Sequence, residues 1–96
     1  MAGSGNEVDG WTSSENMQGH FEKHGQAMNY GSSRSYSAGA RANMSAQGTI
    51  SGTAKNGNGN RAYFNPSTGR LTLVNSNGRI ISYMPSNERY FNKHFE

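Results

Sequence analysis

The sequence predicts an α+β domain, in which two N-terminal helices pack on a twisted four-stranded antiparallel sheet and a short helix follows the sheet. Three observations lead to this fold class. Apolar residues recur at helical spacing in the first half of the chain, β-strand texture begins at Gly48, and an Asn77-Gly78 pair separates the last two apolar runs as a hairpin turn would. We expect residues 11–96 to form one domain, and residues 1–10, rich in glycine and acidic residues, to form a disordered leader or linker.

The first helix is expected over about residues 13–24. Thr12 and Glu15 have the capping-box spacing, in which each side chain satisfies a free backbone amide of the other residue. Gly25 is expected to end the helix. The residues that recur at helical spacing are Met17, Phe21 and His24.

A second helix is expected over residues 33–44, where Tyr36, Ala40 and Met44 are spaced by four. Gly39 weakens this helix, because glycine is about 1 kcal/mol less favourable than alanine in a helix interior. Four strands of an antiparallel meander follow, over residues 49–54, 61–64, 70–75 and 79–84. Pro85 ends the last strand, and Asn87 can cap a short terminal helix that carries Tyr90, Phe91 and Phe95.

The length of the loop at Asn77-Gly78 decides which side chains share a face of the sheet. With a loop of two or four residues, the side chains of Thr72 and Val74 project to the same face of the sheet as the odd-numbered residues of the last strand. With a three-residue loop, they project to the opposite face. Sequence alone leaves both registers open. In either register Arg79 and Tyr83 are expected to project together, and Ser82 points the opposite way unless a bulge intervenes.

Composition narrows the classes of function. The chain has no cysteine, which excludes disulfides, thiolate zinc sites, iron–sulfur clusters and cysteine nucleophiles. No apolar run approaches the roughly 20 residues that span a bilayer, and no signal-peptide layout is present, so we expect no membrane span and export only with another segment as carrier.

The charge of the chain is unevenly distributed. Residues 1–22 contain four acidic residues and no lysine or arginine, whereas residues 23–96 contain nine basic residues against two acidic ones, a formal charge of +7. A field of that sign attracts polyanions, so RNA, DNA or an acidic protein is an expected partner, although ordinary solubility charge remains an alternative.

His20 and His24 lie four residues apart, which places them on one helical face with Lys23 beside them. Three functions fit this spacing. The pair can hold zinc if His94 or a distant carboxylate supplies a third ligand, it can cap and pack the helix end, or it can transfer protons, because the ordinary pKa of imidazole lies near neutrality.

Metal-free RNA cleavage needs a base for the ribose 2′-hydroxyl, cations for the phosphorane and an acid for the leaving oxygen. His20 and His24 are candidates for base and acid, Lys23 and Arg79 for phosphate neutralisation, and Ser82 and Tyr83 for hydrogen bonding or proton transfer. Each arginine and tyrosine also fits a solvated or core position. The candidates for substrate binding are Arg61, Tyr63, Arg70 and Thr72. The glycine-rich stretch KNGNGN lacks the Gly-Lys-Ser/Thr ending of a phosphate loop and is interpreted as a flexible hairpin loop.

The segments HFEKHG, the second-helix Tyr36 and Ala40, and the closing stretch YFNPSTGRLTLVNSNGRIISYMP resemble the C-terminal toxin domains of bacterial polymorphic and contact-dependent growth inhibition systems. Those domains are similar to the barnase, EndoU, colicin and RelE group (BECR) of ribonucleases. The resemblance covers roughly residues 16–95. The chain departs from the pattern at Ser82, where threonine is commoner, and in its glycine- and serine-rich middle.

The resemblance implies a metal-independent toxin ribonuclease without a cofactor, often acting on tRNA, and a 2′,3′-cyclic phosphate product. It also implies secretion as part of a larger effector, action in the target-cell cytoplasm, and a cognate immunity protein. The catalytic residues that it implies are His20, Lys23, His24, Arg79, Ser82 and Tyr83. A non-catalytic nucleic-acid-binding module, a metal-dependent nuclease using His20, His24 and His94, and a toxin with another reaction are the competing hypotheses.

Overall fold

A computed structural model describes residues 10–96. The predicted fold class is confirmed: two N-terminal helices, a four-stranded antiparallel sheet and a short C-terminal helix. The leader predicted for residues 1–10 lies, up to residue 9, outside the described residues. The elements are α1 (Ser14–His20), a π-helical turn (Phe21–Gly25, hereafter the π turn), α2 (Ser33–Ser45), β1 (Ile50–Thr53), β2 (Arg61–Asn65), β3 (Arg70–Val74), β4 (Ile80–Pro85) and α3 (Glu88–His94).

The four strands pair in the order β1-β2-β3-β4 and have a hydrophobic core on each face. On one face, α1 and α2 pack through a cluster centred on Trp11, Tyr36 and Tyr83. On the other face, α3 packs through Phe91 and Phe95. The two faces follow from strand alternation, because successive side chains of a strand project to opposite sides. Within residues 10–96, no helix is long and apolar enough to cross a membrane.

The first helix differs from its predicted form at both ends. Its N-cap is Ser13 rather than Thr12: the Ser13 Oγ accepts the Asn16 amide N–H at 3.0 Å, while the Thr12 hydroxyl accepts the Asn16 side-chain amide. The α-helix ends at His20 and continues as the π turn. Gly25 is the last residue of this turn, and its lack of a side chain allows the Phe21 ring to pack against it, since a Cβ there would clash with Cδ1 of Phe21.

The β3–β4 hairpin has a three-residue loop and a β-bulge. The Asn75 amide N–H donates to the Arg79 carbonyl at 2.8 Å, and Gly78 adopts a left-handed φ of +82°. Ile81 has no cross-strand partner, because the pairing passes from Val74↔Ile80 to Leu73↔Ser82. One inserted residue shifts the alternation of side chains in β4.

The bulge changes which residues share a face. Tyr83 pairs with Thr72 on the face covered by α1 and α2, whereas Ser82 pairs with Leu73 on the face that carries α3. Arg79 pairs with Asn75, two residues after Leu73, so alternation places it on the Ser82 face. The prediction that Arg79 and Tyr83 project together is therefore wrong, since both sequence-based registers assumed an unbroken β4.

Two polar contacts fix α2 on the sheet. The Asn43 side-chain amide donates to the Thr72 hydroxyl at 3.1 Å, and that hydroxyl donates to the Ala40 carbonyl at 2.9 Å. Gly39 also has a packing role: a Cβ there would lie 2.0 Å from the Tyr30 hydroxyl oxygen. The glycine that weakens α2 as an isolated helix thus allows the Tyr30 ring to pack against it.

Candidate active site

The two histidines of the first helical segment lie side by side. His20 ends α1 and His24 lies in the π turn, and their rings stack with centroids 5.8 Å apart and planes inclined by 19°. Both side chains are half-buried, while Lys23 between them is exposed. The predicted shared face therefore exists, although a π turn rather than a continuous α-helix produces it. Such turns are frequent at functional sites.

Ser82 joins this pair to the closing hairpin. Its Oγ lies 3.4 Å from Nδ1 of His20, and only 6% of Ser82 is exposed. Ser82 lies on edge strand β4, which α1 contacts, and the bulge at Ile81 sets its direction. Residues 62 positions apart in sequence thus form one centre, hereafter the His–Ser centre: His20, Lys23, His24 and Ser82.

Burial and nearby positive charges favour the neutral imidazoles. The pKa of His20 is lowered from its ordinary 6.5 by desolvation first, and then by the positive charges of His24 and Lys23. Desolvation and Lys23 likewise lower the pKa of His24. Both rings are therefore mostly neutral at pH 7 and can accept a proton.

Trp11 helps to position His20, and sequence reasoning did not single it out. Trp11 is completely buried, lies 6.2 Å from the His20 ring, and pairs with Ile80 of β4 in a parallel bridge. The Thr12 amide N–H donates to the Ile80 carbonyl at 3.1 Å. A lone tryptophan directly before the predicted cap, Thr12, was the available signal, since an apolar residue at that position often fixes the entry of the chain.

Arg79 lies at the base of the hairpin loop. Its amide N–H donates to Oδ1 of Asn75 at 2.9 Å, and the residue is half-buried. It shares the Ser82 face of the sheet by register and directly precedes edge strand β4, three positions before Ser82.

Tyr83 does not join the His–Ser centre. Its side chain is buried on the α2 face, where its hydroxyl lies 2.8 Å from that of Tyr30, and its carbonyl accepts a hydrogen bond from the Tyr36 hydroxyl. Burial, together with the Tyr30 hydroxyl, raises the pKa of Tyr83 far above its ordinary value. A buried neutral phenol packed against α2 is a structural residue rather than a proton-transfer group.

Arg70 and Thr72, predicted as substrate-binding residues, hold the fold together. Arg70 donates to the Tyr30 hydroxyl at 2.9 Å and to the Met28 carbonyl at 2.8 Å, and its guanidinium lies 5.1 Å from the Tyr30 ring centroid. Thr72 is completely buried and uses its hydroxyl within the Asn43 network. These positions do not fit direct contact with a substrate, and the sequence could not distinguish them from solvated polar residues of a strand.

Arg61 and Tyr63 lie on the opposite face from Ser82. They alternate with Ala62, which packs beneath α3, so they project toward the α2 side of the sheet. Arg61 is exposed and donates to the hydroxyls of Ser51 and Thr53 at 2.9 and 3.1 Å. The structure therefore does not bring these two predicted substrate-binding residues to the centre.

The third histidine also lies apart from the pair. His94 is in α3, with its ring 4.5 Å from that of Tyr90. Among residues 10–96, no group of three histidine or carboxylate side chains is placed to hold a metal ion. The three-histidine metal hypothesis therefore lacks the geometry that it requires.

The fold resembles that of a known ribonuclease. A ribonuclease from Escherichia coli, solved in complex with its inhibitor protein, superposes with a TM-score of 0.64; the match covers 80% of this chain and 95% of that chain, at 19% sequence identity. At this identity the likeness establishes a shared fold. No protein-family model matches the sequence, and no curated protein matches it.

Proposed function

We propose that this chain is a bacterial toxin ribonuclease that cleaves RNA, with tRNA as the expected target, without a metal ion. The single observation that carries the proposal is the His–Ser centre, in which two mostly neutral imidazoles adjoin a lysine and a hydroxyl. The shared fold with the Escherichia coli ribonuclease supports the proposal independently of these residues.

The centre supplies the groups that the reaction needs. One imidazole accepts the proton of the ribose 2′-hydroxyl, whose oxygen attacks phosphorus. The bond from phosphorus to the 5′-oxygen breaks, and the other imidazole, in its protonated form, donates a proton to that oxygen. The products are a 2′,3′-cyclic phosphate and a 5′-hydroxyl end.

Substrate binding would prepare the second imidazole for its role as acid. In the free protein, desolvation and the charge of Lys23 lower both imidazole pKa values, and the charge of His24 also lowers that of His20. A phosphate beside the rings would offset the nearby positive charges and raise the pKa of the ring nearest to it. Lys23 would stabilise the charge of the phosphorane, and the Ser82 hydroxyl would bond a phosphate oxygen or hold His20 through Nδ1.

The biological setting is part of the same proposal. The ribonuclease of similar fold was solved with an inhibitor protein, and a toxin ribonuclease needs such a protein in the cell that makes it. We propose that the chain is delivered as part of a larger secreted effector, acts in the target-cell cytoplasm, and is neutralised by a cognate immunity protein in the producer.

The test is cleavage of total RNA and purified tRNA by the 96-residue chain in EDTA, with end-group analysis of the products. We expect cyclic phosphate ends, and a fall in kcat/KM of about 10²–10⁴-fold for His20→Ala and for His24→Ala. The matched control is Arg34→Ala, which removes an exposed cation of α2 that is not part of the His–Ser centre and is expected to cleave like the wild type.

Two results would refute the assignment. Intact RNA after incubation with micromolar wild-type protein would show that the protein is not a ribonuclease. Salt-dependent RNA binding without cleavage would identify a binding module instead. Full activity in both histidine variants, each shown to be folded by circular dichroism, would leave the proton-transfer roles without support.

A further inference from the structure

A row of four directly paired residues crosses the sheet on the face that carries α3. It consists of Gly52, Ala62, Leu73 and Ser82, one from each strand. Gly52 and Ala62 are buried, and Gly52 lies so close to α3 that a Cβ there would be 3.1 Å from Phe91. Leu73 is half-exposed, and Ser82 lies beside His20. On this face, α3 therefore covers β1 and β2, and the surface of β3 lies between α3 and the His–Ser centre.

A cleft of about 440 Å³ opens where α3 meets the loop between β1 and β2. We call it the α3 pocket; its walls include Lys55, Asn58, Leu73, Tyr90, Lys93 and His94. Among residues 10–96, no aspartate or glutamate lines it. A cleft with two lysines, an aromatic ring and no carboxylate favours an anionic ligand that also has a flat ring.

The basic and aromatic groups of the pocket are held in place. The Lys55 ammonium donates to the Asn92 carbonyl of α3 at 2.8 Å, which leaves two of its three N–H groups for other acceptors. Tyr90 is 39% exposed and lies against the His94 ring.

The loop itself is more ordered than its composition suggested. The Asn58 amide bonds Oδ1 of Asn56, and the Asn60 amide bonds Oδ1 of Asn58, at 3.0 and 2.8 Å. The stretch interpreted as a flexible loop is thus a pair of side-chain-stabilised turns that forms one wall of the pocket.

We propose that the α3 pocket is a second RNA subsite, which binds a nucleotide flanking the phosphodiester held at the His–Ser centre. This inference rests on the proposed function. Leu73 lines the pocket and pairs with Ser82, and adjacent strands lie about 4.8 Å apart, so the pocket begins one strand from the centre. Lys55 and Lys93 bind the phosphate backbone, and the exposed ring of Tyr90 stacks on a base.

The continuity with the centre favours RNA over a protein partner. A nucleic-acid strand held at Ser82 can continue along this face, whereas the core packed under α1 and α2 fills the opposite one. The cleft, with the exposed rings of Tyr90 and His94 side by side, is of a size to take one base.

The test uses a short 2′-O-methyl oligoribonucleotide, which keeps the phosphates and bases but lacks the attacking hydroxyl, so that binding is measured without cleavage. We expect Lys55→Ala and Lys93→Ala each to weaken binding about five-fold at about 0.1 M salt and to reduce the slope of log affinity against log salt by about 0.7. The control is again Arg34→Ala, which removes one positive charge from the α2 side and should change neither value.

Tyr90→Leu and Tyr90→Phe test the stacking part. The leucine variant is expected to bind roughly ten-fold more weakly, because it lacks a π face, and the phenylalanine variant is expected to bind like the wild type. Thermal unfolding of each variant establishes that α3 is retained.

The outcomes separate this inference from the proposed function. If the lysine variants bind the oligonucleotide no more weakly than Arg34→Ala, the subsite does not exist, even if the wild type cleaves RNA, and the basic pocket is left to a protein partner. If the lysine variants bind weakly but the wild type cleaves nothing, the subsite stands and the catalytic proposal fails.

Discussion

Gly39 of α2 gives a test in which helix propensity and tertiary packing predict opposite signs. Replacing an interior helical glycine with alanine should stabilise an isolated helix by about 1 kcal/mol. In this fold, however, the new Cβ would lie 2.0 Å from the Tyr30 hydroxyl oxygen and 2.6 Å from Cζ. The Tyr30 ring must therefore move.

The magnitude follows from what that ring touches. Overpacking of a buried site is destabilising by about 1–3 kcal/mol. The displaced hydroxyl also loses contacts with Tyr83 at 2.8 Å and Arg70 at 2.9 Å, worth about 1 kcal/mol each. After the gain in helix propensity is subtracted, Gly39→Ala should lower the free energy of unfolding by about 2–4 kcal/mol, and each kcal/mol lowers Tm by about 4–8 °C in a domain of this size.

The assay is urea and thermal unfolding of Gly39→Ala beside Gly19→Ala. Gly19 lies in α1 with nothing within 4 Å of its potential Cβ, so its replacement should raise stability by up to about 1 kcal/mol. In a Tyr30→Ala background, Gly39→Ala should become stabilising as well, because the ring is gone. A gain in stability from Gly39→Ala in the wild-type background would refute the packing of Tyr30 against α2.

Three other perturbations separate structural residues from catalytic ones. Thr72→Val should lower the free energy of unfolding by about 1–3 kcal/mol in urea, because it leaves buried partners unpaired, with kcat unchanged in the folded protein. Arg70→Met should lower it by about 2 kcal/mol in the same assay; a selective loss of kcat at full stability would contradict this role. Because the pKa values of His20 and His24 are lowered from 6.5, the unfolded chain binds more protons below that pH, so stability should fall as pH decreases. Urea unfolding at about pH 7 and about pH 5 should show a smaller fall for the doubly substituted His20→Ala/His24→Ala protein.

Local sequence signals located most of the elements. Asn87 caps α3 as predicted, accepting the Tyr90 amide N–H at 2.8 Å, and the Asn77-Gly78 pair forms the β3–β4 turn. The spacing of His20 and His24 predicted their shared face. These features depend on interactions between residues only a few positions apart, so the local sequence is enough to predict them.

Contacts distant in sequence decided the role of each polar residue. Arg70 and Arg79 look alike as basic residues next to apolar strands, yet Arg70 is tied to Tyr30 and Met28 on the α2 side, whereas register places Arg79 on the Ser82 face. By helix propensity alone, Gly39 only destabilises α2, whereas in the fold it makes room for the Tyr30 ring. Neither distinction has a local signature.

The sequence by itself determined the α+β class, the order of the elements and a basic chain with paired histidines on its first helical segment. Only the tertiary structure decided that Ser82 meets His20 while Tyr83 does not, and that loop and α3 residues form a basic pocket on the same face. The physical reason is that side chains alternate between the two faces of a strand with a period of two residues. The one bulged residue, Ile81, interrupts this alternation, so the residues after it project to the faces opposite those that an unbroken strand would give them. Packing across the whole sheet selects that bulge, and no local pattern encodes it.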